Sequence, residues 1–540
     1  MSSIRDLMST YPMLVSAIAA TGGGLALVYA LRAYLLPKPI PGKKGRRKKL
    51  WWAELAEKHD SPIVQFFFPM MQASIVVADY REARDILLRR SKEFIRGQAN
   101  CDSWIGLLPG HFIAMEDAHP RFKDAKALGK DLMTPSFLHN VSAPSSYEMV
   151  MNLIQLWKLK ADVAQGSPFD ASEDLSQLTF NIMEAAALGV DATETSMARH
   201  LAKLREARLP QGRGGPALVE FPDWEESDLL EALHAFENAA GRALVAPSPW
   251  LFHVFNNLFS SRLRKARAAR KAALTTYIDG ARQRYAKDPE AFVALSAVDH
   301  MILREAQAMA KANTTTSHLT LELEDGLIGY MIGGQDSTHS TLCFTAKRLA
   351  KHQDIQQKLR DVLRAAHPNA VREGRQPTVE EITKTQIHYL DALIQEILRA
   401  DPRGTIIIFT LNGPTIKGKG FDVPESRRSA TSAKNAGGVG DWAETTYSGE
   451  EFLPERWLVQ TEGGGEEGTY DSMAGPFLSF SSGTRSCWGQ RLAYLELKLI
   501  ITLLVWNFEF GRLPEELDDW KVIEGMFTRP KNTYVRLTAL

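Results

Sequence analysis

Phe480-Ser481-Ser482-Gly483-Thr484-Arg485-Ser486-Cys487-Trp488-Gly489 is the stretch of this 540-residue chain that carries the most chemistry. An apolar-rich helical run, Leu492 to Trp506, follows it, so Cys487 stands at the start of a helix behind a Ser/Gly loop able to expose backbone N–H groups. Helix N-terminal amides and the nearby Arg485 both favour thiolate over thiol. A sulfur held this way is a nucleophile or a metal ligand; the competing reading is that a lone Cys is a small buried hydrophobe.

Working outward, only Cys101 and Cys343 accompany it, too few for a disulfide framework and in keeping with a reducing compartment. With 44% hydrophobic and 24% charged residues the chain can bury a large core and is not disordered. Its 64 basic and 64 acidic residues cancel, which argues against a general nucleic-acid binder. Beyond Leu50 the pattern is mostly helical without solenoid or propeller repeats. Stretches 62–79 and 403–412 read as strands, and Arg427–Gly449 and Glu462–Gly475 read as loops. No linker splits residues 51–540, so one large domain, mainly α with a small β portion, is expected.

The cancelled charge hides an asymmetry. From Leu7 to Leu31 there is no charged side chain, and as a helix this run is about 37 Å long, enough to cross a bilayer core. Arg32, Lys38, Lys43, Lys44, Arg46, Arg47, Lys48 and Lys49 follow it with no acidic residue among them. By the positive-inside rule this flank stays cytosolic. Setting these eight aside with Arg5 and Asp6 leaves 55 basic and 63 acidic residues, a net of −8 for the body. A cleaved signal is the alternative, but Ala17-Ile18-Ala19 sits inside the run and a signal's apolar region is shorter. The expected organisation is a single-pass anchor over 1–36, a basic proline-containing linker over 37–50, and the domain over 51–540 on the cytosolic side, as in the endoplasmic reticulum.

The cysteine stretch resembles the haem-binding loop of cytochrome P450 enzymes, Phe-x-x-Gly-x-Arg-x-Cys-x-Gly, with every specified position matched. Five fixed positions coincide by chance on the order of 10⁻⁵ to 10⁻⁴ times in such a chain. The resemblance implies a haem b enzyme of the cytochrome P450 fold. In it Cys487 is the axial iron ligand, Arg485 pairs with a propionate, Phe480 packs near the sulfur and Gly489 lets the helix approach the ring. A thiolate ligand favours O–O cleavage.

Three further stretches add to it. Glu396 and Arg399 end a helix-like run, Ile387 to Arg399; Glu-x-x-Arg recurs at Glu93, Glu425 and Glu509, but here Tyr389, Ala392 and Leu393 continue the face and point to burial. Pro454-Glu455-Arg456-Trp457 resembles the family's Pro-Glu-Arg-Phe segment, so Glu396, Arg399 and Arg456 are expected to form a structural triad. Gly333-Gly334-Gln335-Asp336-Ser337-Thr338, inside a helix expected from about Thr320 to Lys351, resembles the oxygen-activation segment. Asp336 then relays protons, Ser337 stands where Thr is usual, and Thr338 offers a neighbouring hydroxyl. Two mid-helix glycines cost about 1 kcal/mol each, tolerated if something flat lies against the backbone; a kinked helix packed on a neighbour is the other reading. Counting back from Thr134-Pro135-Ser136-Phe137, the family's Trp-x-x-x-Arg falls on Lys126 and Lys130, leaving Lys130 as a point-charge partner for a propionate or as a plain surface residue.

One place departs from the family. Pro402-Arg403-Gly404-Thr405-Ile406 looks like a turn that normally lies a few tens of residues beyond the helix ending at Arg399, so a segment appears shortened. The resemblance implies a monooxygenase inserting one oxygen atom from O2 into an apolar small molecule, with NADPH electrons arriving through a membrane-bound flavoprotein reductase. Arg491 and Lys498 are basic residues placed to meet such a partner. The Pro135-Ser136-Phe137-Leu138-His139 run is similar to filamentous-fungal members of specialised metabolism. A haem-thiolate isomerase or dehydratase, a peroxide-driven enzyme, and a non-catalytic haem binder are the alternatives. Deleting residues 1–36 is expected to move the protein from the membrane to the soluble fraction; retention would point to another attachment, such as the apolar Trp250-Leu251-Phe252.

Overall fold

The structure, a computed structural model, describes residues 98–401 and 451–540 apart from short breaks at 208, 210–211, 213, 226, 245, 247, 315–316, 318 and 460–467. It also describes 58–59, 61, 63–66, 74–77, 79–90, 93–96 and 409–411. The expected anchor and linker lie outside these residues, as do 402–408 and 412–450, which include the turn read at Pro402–Ile406. Among the described residues no helix is long and apolar enough to cross a membrane.

The chain divides into two compact units. In the smaller, which includes residues up to Ala83, β1 (Ile63–Phe66) and β2 (Ser74–Val77) pair antiparallel, Ile63 opposite Val77. Their β-branched content suits the extended chain.

The larger unit, Arg84–Gly418 with Gly437–Leu540, is mainly helical. Its principal helices are α1 (Ala143–Ala164), α2 (Ser172–Leu188), α3 (Asp228–Leu244), α4 (Pro249–Phe259), α5 (Ser261–Lys287), α6 (Ala297–Lys311), α7 (Thr320–Lys351), α8 (Gln353–Ala366), α9 (His388–Ala400) and α10 (Gln490–Asn507). Its strands are short: β3 (Phe94–Arg96), β4 (Phe169–Asp170), β5 (Phe409–Leu411), β6 (Leu458–Val459), β7 (Thr469–Tyr470), β8 (Phe508–Phe510), β9 (Val522–Glu524), β10 (Thr528–Pro530), β11 (Tyr534–Val535) and β12 (Leu537–Ala539). They form antiparallel pairs β3–β5, β4–β11, β6–β7, β8–β12 and β9–β10. The strand expected over 403–412 is realised at 409–411, and β7 lies within the stretch expected to be loop.

Helix α7 organises this unit. Of its 32 residues 22 are buried, so it is a central element and not a surface helix. Two hydrophobic cores meet along it. Leu323, Leu327, Ile328, Met331 and Ile332 join one core with α3, α5 and α6; Leu342, Cys343, Ala346 and Leu349 join the other with α1, α8, α9 and α10. Residues 333–341 belong to neither core. That polar, glycine-containing stretch lies at the seam between the two cores, mostly buried, with Gly333 exposed.

The two glycines there differ. A side chain on Gly334 would meet Met183 Sδ of α2 at 2.2 Å, whereas nothing stands within 4 Å of a Cβ on Gly333. Close helix packing accounts for Gly334, and only Gly333 borders open space. Nearby, Thr338 Oγ1 donates to Glu496 Oε2 of α10 at 3.4 Å, tying α7 to the helix that follows the cysteine stretch. Glu496 is buried, its Oε1 has no partner, and burial pushes its carboxyl up to about 8.

Gly334→Ala is expected to lower the urea midpoint, at about 1–3 kcal/mol for overpacking, while Gly333→Ala raises it by up to about 1 kcal/mol through helix propensity. Glu496 has a folded pKa above its unfolded one, so the folded state binds the extra proton and stability falls as pH rises from about 4.5 to about 8. Glu496→Gln lacks that slope. Its stability relative to wild type is expected to climb by about 1 kcal/mol per pH unit across this window, read from urea unfolding at a series of pH values.

Candidate active site

The cysteine loop is shaped by backbone turns. Ser481 and Gly483 adopt φ of 58° and 69°, both left-handed, and a 3-10 turn covers Gly483–Arg485. The loop then closes on itself, with Cys487 N–H donating to Phe480 O at 2.7 Å and Ser486 N–H to Gly483 O at 3.1 Å. Gly489 is the N-cap of α10, placing Cys487 just before its first turn. Cys487 is exposed, as a ligand must be and a core residue is not. Its thiol is nevertheless pushed up by desolvation, against the pull of the Gly489 N–H. Desolvation and the Gly489 amide thus act on this sulfur in opposite directions, and a bound metal ionises a coordinating thiol. The Arg485 side chain lies outside the described residues.

Glu396, Arg399 and Arg456 are brought together at the foot of this loop. Glu396 has no exposed surface and accepts five hydrogen bonds: Arg399 Nε at 2.7 Å, Arg399 Nη2 at 2.8 Å, Arg456 Nε at 3.1 Å, Trp457 Nε1 at 3.0 Å and Leu453 N at 2.8 Å. Both arginines also donate to Glu451 O, at 3.0 and 2.8 Å. Satisfying every lone pair is what lets a buried carboxylate be kept. From Trp457 a file of rings leads to the loop: Phe477 at 6.0 Å, then Phe480 at 6.3 Å, then Tyr494 of α10 at 5.3 Å. Ser479 Oγ donates to Leu398 O at 2.7 Å, fastening the loop to α9.

On α7, Asp336, Ser337 and Thr338 point three ways. Asp336 is buried and lies 3.5 Å from Arg529 Nη1 on β10. Ser337 is half-buried and its hydroxyl donates to Gly333 O at 2.7 Å, so Ser337 and Gly333 share the open side. Thr338 faces Glu496. Lys130 is exposed, but its neighbour Gly129 abuts Trp488, whose ring would lie 2.9 Å from a Cβ there; this sets Lys130 beside the cysteine loop. Lys126 lies over the Phe122 ring at 5.9 Å. Lys498 is engaged by Asp391 at 2.6 Å, which removes it from the surface charges offered to a partner, while Arg491 is exposed.

Two residues went unread in the sequence. Glu496 carried a signal, as the one acidic residue in α10; Arg529, which reaches Asp336 from far along the chain, has no local signature. Trp457, quoted in the sequence only as the aromatic position of its segment, caps the Glu396 cluster.

The donor set fits a haem. Cys487 is a single sulfur donor, the kind that ligates an iron whose porphyrin supplies further ligands. The open side of Gly333 leaves room against α7 for a flat group.

A family model for Cytochrome P450 matches residues 43–537. The cytochrome P450 monooxygenase TRI13 of Fusarium sporotrichioides is 30% identical over 93% of this chain and 92% of its own length. The cytochrome P450 monooxygenase GME11363 of Pestalotiopsis microspora is 31% identical, with 95% and 96% covered, and xilC of Penicillium crustosum 29% identical, with 96% and 95% covered. With a matched loop around Cys487, a helical body and end-to-end similarity of this kind, the chain belongs to the cytochrome P450 family of haem-dependent oxidoreductases.

Proposed function

We propose that this protein is a haem-thiolate monooxygenase that inserts one oxygen atom from O2 into an apolar small molecule in specialised metabolism. One observation carries the reading: an accessible Cys487 at the head of α10, which is tied through Glu496 to the open stretch of α7. Bound there, the haem iron supplies the oxygen chemistry, its thiolate ligand favouring O–O cleavage.

The chain's own residues bind, orient and supply protons. Cys487 holds the iron, and Phe480 and the Gly489 N–H fix the sulfur's surroundings. Arg485 and Lys130 meet the propionates. Asp336 hands protons toward the open face, where the Ser337 hydroxyl can take them; Ser lacks the methyl of the usual Thr, so water reaches this face more readily. Thr338 braces α7 through Glu496. Glu396, Arg399 and Arg456 keep the loop in place and take no chemical part. NADPH electrons enter through a membrane-bound flavoprotein reductase on the Cys487 side, where Arg491 is exposed.

The apolar run in residues 1–36 supports single-pass attachment, with the domain on the cytosolic face of the endoplasmic reticulum. Helix α4 suits a lipid surface as well: Trp250, Leu251, Phe255, Leu258 and Phe259 are exposed and His253 alone is buried. Specialised metabolism is supported by the fungal relatives, one of which, from Dothistroma septosporum, is named for a gene cluster.

The reduced carbon-monoxide difference spectrum tests the reading. Wild type is expected to give the red-shifted Soret band of a thiolate complex, and Cys487→Ala to lose it; equal haem spectra in both would sink the assignment. With reductase added, NADPH-dependent O2 consumption is expected, whereas product formed without reductase would favour the isomerase or peroxide-driven alternatives.

A further inference from the structure

Trp488 directly follows Cys487, and a short run of covalent bonds joins its ring to that sulfur. The surroundings are matched to an indole. A Cβ on Gly129 would stand 2.9 Å from Trp488 Cη2, so the ring occupies the place a side chain would need. Gly129 has φ of −91°, a conformation open to any residue, so its backbone does not ask for glycine. Phe112 meets the indole edge-to-face at 6.1 Å, and Tyr330 of α7 does so at 6.2 Å. Tyr330 lies one turn before Gly333 and two before Ser337, on the same stripe of α7, so this contact joins the cysteine loop to the open side of that helix. Trp488 is itself half-buried, with part of its surface in solvent.

The rings around the loop differ in what happens when they lose an electron. A phenol sheds its O–H proton with the electron and needs a base to receive it. Tyr330 is buried and its hydroxyl has no hydrogen-bond partner. Tyr494 and Tyr470 donate to Gln395 Oε1, an amide oxygen that is no base. Phe112, Phe477 and Phe480 carry no group that eases oxidation. Trp457 has a carboxylate beside its N–H, Glu396 at 3.0 Å, but it is fully buried and Phe477 stands between it and Phe480. An indole can lose an electron while keeping its N–H proton. Trp488 therefore needs no base, and it combines a place next to the sulfur with access to solvent.

We propose that Trp488 is a built-in reductant for the haem: in cycles that find no substrate, its indole gives up an electron and so discharges the oxidised site before the protein is damaged. The inference rests on the monooxygenase reading. Without substrate, two electrons from the reductase and two protons cleave the O–O bond and release one water, leaving the site two electrons short with one oxygen atom still to be reduced. Two further electrons and two solvent protons turn that atom into a second water, so O2, four electrons and four protons give two waters. Trp488 supplies the first of these further electrons and becomes a radical cation; none of its bonds is made or broken. The reductase supplies the other, and one more to restore the indole, so all four electrons come from NADPH.

The test compares full-length, haem-loaded wild type, Trp488→Phe and Tyr330→Phe. Ferric protein is mixed with peracetic acid, which oxidises the haem without reductase, then frozen within milliseconds and read by electron paramagnetic resonance. Wild type is expected to show a radical whose lines narrow when the protein carries ring-deuterated tryptophan. Trp488→Phe is expected to lose that signal and Tyr330→Phe to keep it. The reduced carbon-monoxide band should be the same in all three. With reductase and NADPH, and without added substrate, Trp488→Phe is expected to bleach its haem several-fold faster per O2 consumed. A wild-type signal insensitive to the label, the same signal in Trp488→Phe, or equal bleaching overturns the proposal while leaving the monooxygenase reading intact. Loss of the carbon-monoxide band in Trp488→Phe would show that the ring only packs, and also overturns it. Wild type without the thiolate carbon-monoxide band overturns both.

Discussion

A carboxylate with no exposed surface can persist only if the protein replaces the water it has lost, and Glu396 is the place where this chain does so. Two arginines, an indole N–H and a backbone amide converge on it from α9 and from residues 453–457. Removing either arginine leaves charge stranded, so the segments are locked in one mutual arrangement. The ring file from Trp457 to Phe480 carries that arrangement to the cysteine loop. Among the described residues Cys487 is the exposed cysteine, and its loop is tied through these rings to the ion cluster.

The second constraint is the seam on α7. Apolar side chains at both ends of this helix are claimed by separate cores, and the stretch between them is left to glycine, hydroxyl and carboxyl groups. Most of that stretch is nevertheless buried, and Gly333 is its exposed residue. Close approach to α2 demands Gly334, while Gly333 has open space beside it, so one dipeptide serves both the packed and the open side. The surroundings change from one residue to the next: Asp336 meets Arg529, and Ser337 bonds back to Gly333 O.

Much of this was readable from local patterns. The limits of α7, the helix after the cysteine loop and the burial of Glu396 follow from periodicity and from the Tyr389, Ala392 and Leu393 face. The role of each glycine was not readable, because it depends on Met183, a residue 151 positions earlier. Lys498 looks like a free surface charge in the sequence until Asp391 is found beside it. Desolvation acts on the Cys487 thiol against the Gly489 N–H, a balance set by the folded loop.

By itself the sequence determined the elements and the donor: helix and strand preferences are set by nearby side chains, and a Cys in a matched loop is a chain-local fact. Only the tertiary structure decided which polar groups face one another. Glu237, Asp336 and Arg529 come from α3, α7 and β10, and their meeting is a product of packing that no spacing in the chain encodes. Burial and electrostatics act through space, so these meetings of polar groups become visible only once the chain is folded.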